Sequence, residues 1–296
     1  MNEACFICPR RCGVSRTHDH LGVCGQGPLP VVARAAPHFG EEPCISGSRG
    51  SGTVFFSGCA LRCKFCQNIP LRDNLAGVPV DVPRLRRIFL SLRDQGVHNL
   101  NLVTASHFTP AVAEALTGFD PGIPVAWNSS AYESVSSLRM LRGLVRIYMP
   151  DMKFAIPSLS IRYAHAPDYP AVATEAIQEM FRQVGPPVFD EDGMLLSGVL
   201  IRHLVLPGQL ENTRCVIDWV ADAFPPGSVL FSLMSQYTPC SPPADLPELS
   251  RPLSREEYED CLHYLSVSSL SQTYVQELSS AGPDAIPAFD LTGVLP

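Results

Sequence analysis

Three cysteines in the segment Phe56-Ser57-Gly58-Cys59-Ala60-Leu61-Arg62-Cys63-Lys64-Phe65-Cys66-Gln67-Asn68 have the spacing C-x3-C-x2-C. Three thiolates on one short loop suit a four-iron, four-sulfur cluster in which one iron keeps no protein ligand. That iron stays open to a small molecule that can chelate it. The alternative is a zinc knuckle or unpaired core thiols. Zinc would ask for a fourth ligand and commonly uses C-x2-C pairs.

A second group, Cys5, Cys8, Cys12 and Cys24, has the spacing C-x2-C-x3-C-x11-C. Four ligands suggest a closed site, holding either structural zinc or an auxiliary [4Fe-4S] cluster. Reduced, unliganded thiols are the alternative. The chain has eleven cysteines, eight of them before residue 67, so the chemistry is concentrated at one end. In a long chain without a secretory signal, such clustering points to metal rather than disulfides. Cys44 is a lone spare, and Cys215, Cys240 and Cys261 read most simply as structural.

The elements that must position these thiols follow from the hydrophobic pattern. Residues 1–50 are rich in Cys, Gly, Pro and Arg and read as a Cys-rich N-terminal cap. From 53–56 a β-then-α rhythm begins, and the C-x3-C-x2-C loop follows that first strand directly. Further strands are expected over 100–104, 123–127, 145–149, 199–206 and 229–234, with a short last one near Tyr274 and Val275. Between them lie helical spacings: Leu85, Ile88, Phe89 and Leu92 after the Asp81 cap and Pro83; a helix opening at Thr109-Pro110; one over 133–142. Val172, Ala176, Met180 and Val184 give a further face, as do Cys215, Trp219, Val220 and Ala223. Ser254 with Glu257 forms a capping-box pattern.

About six β/α units imply a parallel sheet but fall short of a closed eight-fold barrel. The expected fold is therefore α/β, a partial (β/α)6 barrel over 51–280, with the cap before it and a tail over 281–296. Chemistry in such folds sits at the C-terminal ends of the strands.

The bulk numbers exclude several classes. With 46% hydrophobic residues in 296, the chain can bury a large core. No run of eighteen apolar residues appears, and the start lacks a basic and apolar leader, so no membrane association and a cytoplasmic location are expected. The net charge is −7 with 22 Lys and Arg, which argues against non-specific nucleic-acid binding. No Gly-rich phosphate loop, Ser-His-Asp order or His-Glu-x-x-His motif is present.

The cysteine loop, with Phe65 before its last Cys, resembles the radical S-adenosylmethionine superfamily. The wording around it is similar to one branch, the proteins related to pyruvate formate-lyase activating enzyme. The segments that carry this are Glu41-Glu42-Pro43-Cys44-Ile45-Ser46-Gly47, the run from Gly50 to Cys59, and Cys8-Pro9-Arg10-Arg11-Cys12-Gly13. Tyr148-Met149-Pro150-Asp151-Met152-Lys153 and Ile201-Arg202-His203-Leu204-Val205-Leu206-Pro207-Gly208 carry it further along the chain. The resemblance implies that Cys59, Cys63 and Cys66 hold a [4Fe-4S] cluster and that S-adenosyl-L-methionine chelates its open iron. Reductive cleavage would then give a 5′-deoxyadenosyl radical.

The same resemblance suggests where the cofactor would be held. After the second strand many superfamily members carry Gly-Gly-Glu; this chain has Thr104-Ala105-Ser106-His107, which makes Ser106 and His107 candidates by position. Asn128 and Ser129 follow the third strand. Asp151 and Lys153 follow the fourth, with Lys153 placed to pair with a carboxylate. Of the adjacent Arg202 and His203, only one can face the barrel interior, and His203 is preferred. Gln236 and Tyr237 follow the sixth strand. A helix cap, a surface His and an ordinary Asp–Lys pair are the plain alternatives.

Three functions follow in order. An activase-like oxidoreductase would abstract hydrogen from a glycine of a partner glycyl radical enzyme, fed by an electron donor such as flavodoxin or ferredoxin. A stand-alone radical enzyme would act on a small molecule, a peptide or RNA. A non-enzymatic iron–sulfur electron-transfer protein would need no open iron. The chain lacks a ferredoxin-like Cys insertion after Cys66, which many activases carry.

Overall fold

The computed structural model describes residues 4–16, 20–240, 244–280 and 287–295. Its strands are β1 (Val31–His38), β2 (Ser51–Phe56), β3 (Val78–Pro79), β4 (Leu100–Val103), β5 (Val125–Ser129), β6 (Ile147–Pro150), β7 (Val188–Phe189), β8 (Leu195–Leu204), β9 (Leu230–Met234) and β10 (Thr273–Val275). The helices are α1 (Pro43–Ser46), α2 (Ile69–Arg72), α3 (Val82–Asp94), α4 (Thr109–Leu116), α5 (Val135–Met140), α6 (Pro157–Ala164), α7 (Tyr169–Val184), α8 (Leu210–Ala223) and α9 (Arg255–Val267).

Strands pair in the order β10-β9-β8-β6-β5-β4-β2-β1-β3, with β7 beside β8. All pairs from β2 to β10 along this path are parallel, whereas β1 runs antiparallel to both β2 and β3. Among the described residues β3 and β10 do not pair with each other, so the sheet stays open. This is the expected partial barrel: six long parallel strands, then a short seventh at Thr273–Val275. Strands buried on both faces read as continuous apolar runs, and β2, β4, β5, β6 and β9 are buried throughout.

Local chemistry sets the helix ends. Asp81 accepts the backbone N–H of Arg84 at 2.8 Å and opens α3, whose Leu85, Ile88, Phe89 and Leu92 are buried. Ser254 and Glu257 form the reciprocal capping box of α9. In α8 the buried stripe is Val216, Ile217 and Val220, one residue round from the expected Cys215-Trp219 face.

The structure departs from expectation at both ends of the chain. Within 1–50, the segment Val31–His38 is a sheet strand and Pro43–Ser46 a short buried helix, so only the part before Val31 stands apart from the sheet. In the tail, 281–286 and residue 296 lie outside the described residues, but 287–295 lies against β1. Ala35 N–H donates to Thr292 O at 2.8 Å, Arg34 pairs with Asp290 at 2.9 Å, and Val294 is buried. Among the described residues no helix is long and apolar enough to cross a membrane.

Candidate active site

The cysteine loop leaves β2 through two backbone positions in left-handed space. Gly58 has φ +85°, and a Cβ there would stand 2.8 Å from Cys24 O, so only glycine lets the loop turn beneath the N-terminal segment. Arg62, between Cys59 and Cys63, has φ +55°. Several contacts then hold the loop. Lys64 N–H donates to Tyr163 O at 2.8 Å, Arg72 Nη1 to Cys63 O at 3.1 Å, and Gln67 Nε2 to Gln236 O at 2.6 Å. Phe65 meets Phe154 and Tyr163 edge-on, with ring centroids 5.9 and 6.2 Å apart.

A cavity of about 600 Å³ opens at the C-terminal ends of the parallel strands. Cys59, Cys63 and Cys66 line it together with Asn128, Ser129, Asp151, Lys153 and Gln236, so the fold brings five of the eight expected cofactor contacts to the cysteine loop. Three others lie elsewhere. Ser106 is outside the cavity lining, in a single 3-10 turn. His107 is buried behind the loop, its Nε2 donating to Ser57 O at 2.8 Å, which corrects the surface-His reading as well. His203 faces away from the cavity: Nδ1 donates to Met152 O at 2.7 Å and Nε2 accepts from the Thr213 hydroxyl at 3.0 Å. Strand alternation places one of the pair inside, and it is Arg202. Tyr237 is likewise buried, donating to Leu249 O at 2.6 Å.

Arg202 is the main residue that sequence reasoning set aside. Its Nε donates to Asp151 Oδ1 at 3.0 Å, Nη1 to Glu41 Oε2 at 2.7 Å and Nη2 to Asn128 Oδ1 at 2.6 Å. Burial works against its charge, but Asp151, then Glu41 and Glu42, raise it above its usual value. Lys153 Nζ donates to Asp151 Oδ2 at 2.7 Å. Burial would push the Lys153 ammonium down; Asp151 and Cys63 outweigh it and hold it up. Asp151 is held below the usual carboxylate value: burial opposes this, and Lys153 and Arg202 overcome it. Burial raises Glu42. Thr104, at the end of β4 in the cavity wall, has φ +61°, a strained position of the kind found at binding sites.

The thiols respond to one another. Burial pushes Cys63 up strongly, Lys153 pulls it down, and Cys59 and Cys66 raise it again. Cys66 is pushed up to about 11 by burial and then by Cys59. Three thiolates lining one cavity need positive charge to stay ionised, which iron would supply. Cys44 is no fourth ligand: it is buried in a separate cluster with Ile45 and Ala126, with Tyr274 packed against it. Among the described residues no three His, Cys, Asp or Glu side chains gather as one metal ion requires. A four-iron cluster asks for a wider arrangement, because each thiolate binds its own iron. The donor set of three thiolates and no fourth fits that cluster.

Cys5, Cys8, Cys12 and Cys24 lie near one another. Cys24, Cys5 and Cys12 each raise the Cys8 thiol, after burial, to about 11. A Cβ on Gly22 would meet Cys24 Sγ at 3.2 Å and Cys12 Sγ at 3.6 Å. Arg10 fastens this segment to the core. It donates to Ala60 O at 2.9 Å, Leu61 O at 3.1 Å, Ala164 O at 2.8 Å and His165 O. The Ser134 hydroxyl donates to Ile7 O at 2.8 Å. None of residues 4–16 or 20–30 lines the cavity.

No family model matches the chain. An uncharacterized protein of Methanocaldococcus jannaschii is 27% identical over 281 residues, which is 91% of this chain and 76% of that one. Among solved structures, SuiB of Streptococcus suis bound to precursor peptide SuiA matches 74% of this chain and 46% of its own, at 14% identity and TM-score 0.48. A domain of pyruvate-formate lyase-activating enzyme from Bacteroides vulgatus matches 57% of this chain and 92% of that domain, at 12% identity and TM-score 0.40. Methylornithine synthase matches 73% of this chain and 62% of its own, at 13% identity and TM-score 0.50. The chain thus spans less than half of SuiB and under two thirds of the synthase. At these identities the likeness is one of fold alone: an open α/β barrel with a mostly parallel sheet, shared with methylornithine synthase.

Proposed function

We propose that this chain is a radical S-adenosylmethionine enzyme. The observation that carries the reading is one shared cavity: three cysteine thiols on one wall, and Asn128, Ser129, Asp151, Lys153 and Arg202 on another, at the C-terminal ends of a parallel sheet. When bound, the cluster supplies one electron and S-adenosylmethionine supplies the 5′-deoxyadenosyl group that abstracts hydrogen.

The chain's own residues have separate tasks. Cys59, Cys63 and Cys66 hold the cluster. Lys153, tied to Asp151, faces the thiols and would meet the carboxylate of the cofactor. Arg202 keeps Asp151, Glu41 and Asn128 fixed around it, so the polar wall does not rearrange on binding. Ser129 and Gln236 line the same cavity and would offer it hydrogen bonds. His107 holds Ser57 O, just before the cysteine loop, and His203 holds Met152 O, between Asp151 and Lys153.

The hydrogen donor of this reading is a backbone glycine in a partner glycyl radical enzyme. Among the described residues the N-terminal thiol segment does not line the cavity, so it does not itself stand in the way of such a loop. Cys5, Cys8, Cys12 and Cys24 form a second metal site, of iron–sulfur type, beside the first. The test is anaerobic reconstitution followed by electron paramagnetic resonance of the reduced protein. A four-iron signal that changes shape on adding S-adenosylmethionine supports the reading. A signal indifferent to S-adenosylmethionine removes the open iron and leaves an electron-transfer protein.

A further inference from the structure

The open sheet leaves a strand edge beside the cavity, and the C-terminal segment occupies it. Among the described residues β3 pairs with β1 only at Val31 and Val32. Beyond that point Ala33 O accepts the Leu291 N–H at 3.0 Å, and Ala35 N–H donates to Thr292 O. Pro287, Phe289 and Leu291 are half-buried while Ala288 and Asp290 are exposed, the alternation of an extended segment laid on a sheet. The Phe289 ring meets Phe55 edge-on, with centroids 5.5 Å apart, and packs on the apolar cluster of Ala33, Phe55, Leu71 and Val103. Asp290 follows it and pairs with Arg34. Arg34, Phe55 and Pro287 also line the main cavity, so this slot is continuous with the candidate active site.

The segment is held firmly at one end and lightly at the other. Val294 is buried, and Arg84 Nε donates to its carbonyl at 2.9 Å. Upstream of it, Leu291 has φ +67°, a strained position for a residue other than glycine. The Asp290 side chain is more than half exposed, which leaves its pair with Arg34 weak. A strand edge with an aromatic slot and a cation beside it is how a sheet takes up an extended peptide as an added strand.

We propose that this edge of β1 is the docking site of the partner protein's loop, and that 287–292 holds the place until the loop displaces it. The proposal rests on the radical-enzyme reading with a protein partner, and it names the surface that the partner uses. The slot sets the class of partner: an extended segment with an aromatic residue against Phe55, followed directly by an acidic residue for Arg34, and its backbone bonded to Ala33 and Ala35. Such a strand reaches the cavity at the place of Pro287. The exchange makes and breaks no covalent bond.

The test uses the reconstituted full chain and, as probe, the labelled nonapeptide of residues 287–295. Hydrogen exchange reads the Ala35 amide, and fluorescence anisotropy reads peptide binding. In Gly293→Val a Cβ collides with Ala35 O, so the segment must leave its seat. The Ala35 amide should then exchange about tenfold faster or more than in the wild type. The peptide should also bind about tenfold tighter or more, because the wild-type segment competes in cis at an effective concentration on the order of millimolar. The milder Phe289→Ala chain should fall between the two and guards against misfolding. Peptides carrying Phe289→Ala or Asp290→Asn should bind the Gly293→Val chain more weakly than the parent peptide. Unchanged exchange at Ala35 in both variants, equal peptide affinity in all three chains, or binding indifferent to both peptide substitutions would overturn the proposal. These readouts need neither S-adenosylmethionine nor a reductant. A chain that takes the peptide as expected but shows no paramagnetic response to S-adenosylmethionine therefore supports the docking site and strikes the radical reading alone.

Discussion

Replacing Arg202 with Met tests the polar wall at its centre. The guanidinium makes three hydrogen bonds, to Asp151, Glu41 and Asn128, all between 2.6 and 3.0 Å, and it is almost wholly buried. Methionine fills most of the volume but leaves buried carboxylates without their cation. Removing one partner of a buried ion pair costs about 3–5 kcal/mol. For 296 residues that is a fall of roughly 5–8 °C in melting temperature. The pH dependence carries the diagnostic sign. In the wild type Asp151 is held low, so its contribution is present above the unfolded carboxylate value and is lost as pH falls. In the variant Asp151 keeps only Lys153, and Glu42, already raised by burial, rises further. Protonation then relieves the variant while it penalises the wild type. The gap between them, measured by urea denaturation, should be largest near pH 7.5 and shrink toward pH 5. A deficit below about 1 kcal/mol, or one that does not change with pH, would refute the argument that Arg202 neutralises this wall.

Three further outcomes are expected. Lys153→Met removes the ammonium that faces Asp151 and Cys63, and should weaken S-adenosylmethionine binding about tenfold to a hundredfold by calorimetry; equal affinity would take Lys153 out of the site. Burial pushes His107 down to about 3 and His203 to about 4, so each is neutral in the fold and their unfolded forms take protons first. Stability should therefore drop as pH falls from about 6.5 toward 4, and His203→Gln should flatten that limb; an unaltered limb would show that the titrating groups lie elsewhere. Metal analysis of reconstituted protein should give about eight irons if both thiol groups hold four-iron clusters, whereas about four irons with one zinc would make the N-terminal site structural.

Much of the fold could be read from the sequence, because parallel strands buried on both faces leave unbroken apolar runs. The segments around Leu100, Val125, Ile147 and Leu230 are such runs, and each is a strand. The strand Val31–His38 escaped notice because Arg34 and Pro37 interrupt its pattern and Cys, Gly and Pro surround it. Its place in the sheet depends on pairing with β2, a contact that local sequence does not encode. Helix α6 follows two loop-like residues and carries Pro157 at its start, so its eight residues give too short a period to stand out. In the site, the cysteine loop and the Asp151–Lys153 pair were legible because strand ends mark the cavity. The choice between Arg202 and His203 was not: both suit a polar contact, and only the register of β8 against β6 and β9 decides which side chain points inward. Glu41 was visible as part of a resemblance but not as a partner of Arg202, since the two lie 161 residues apart.

The most direct measurement is the yield of 5′-deoxyadenosine from anaerobically reconstituted protein with S-adenosylmethionine and dithionite, for the wild type, Cys63→Ala and Cys215→Ala. Cys63 is buried at the cavity wall, and neither Lys64 nor Gln67 can replace its thiolate. Cys215 lies on α8, outside the cavity lining. The expected result is 5′-deoxyadenosine from the wild type and from Cys215→Ala, and none above background from Cys63→Ala, which should still fold. Wild-type yield from Cys63→Ala, or no 5′-deoxyadenosine from a wild-type protein carrying its full iron, would contradict the assignment of this cavity to radical chemistry.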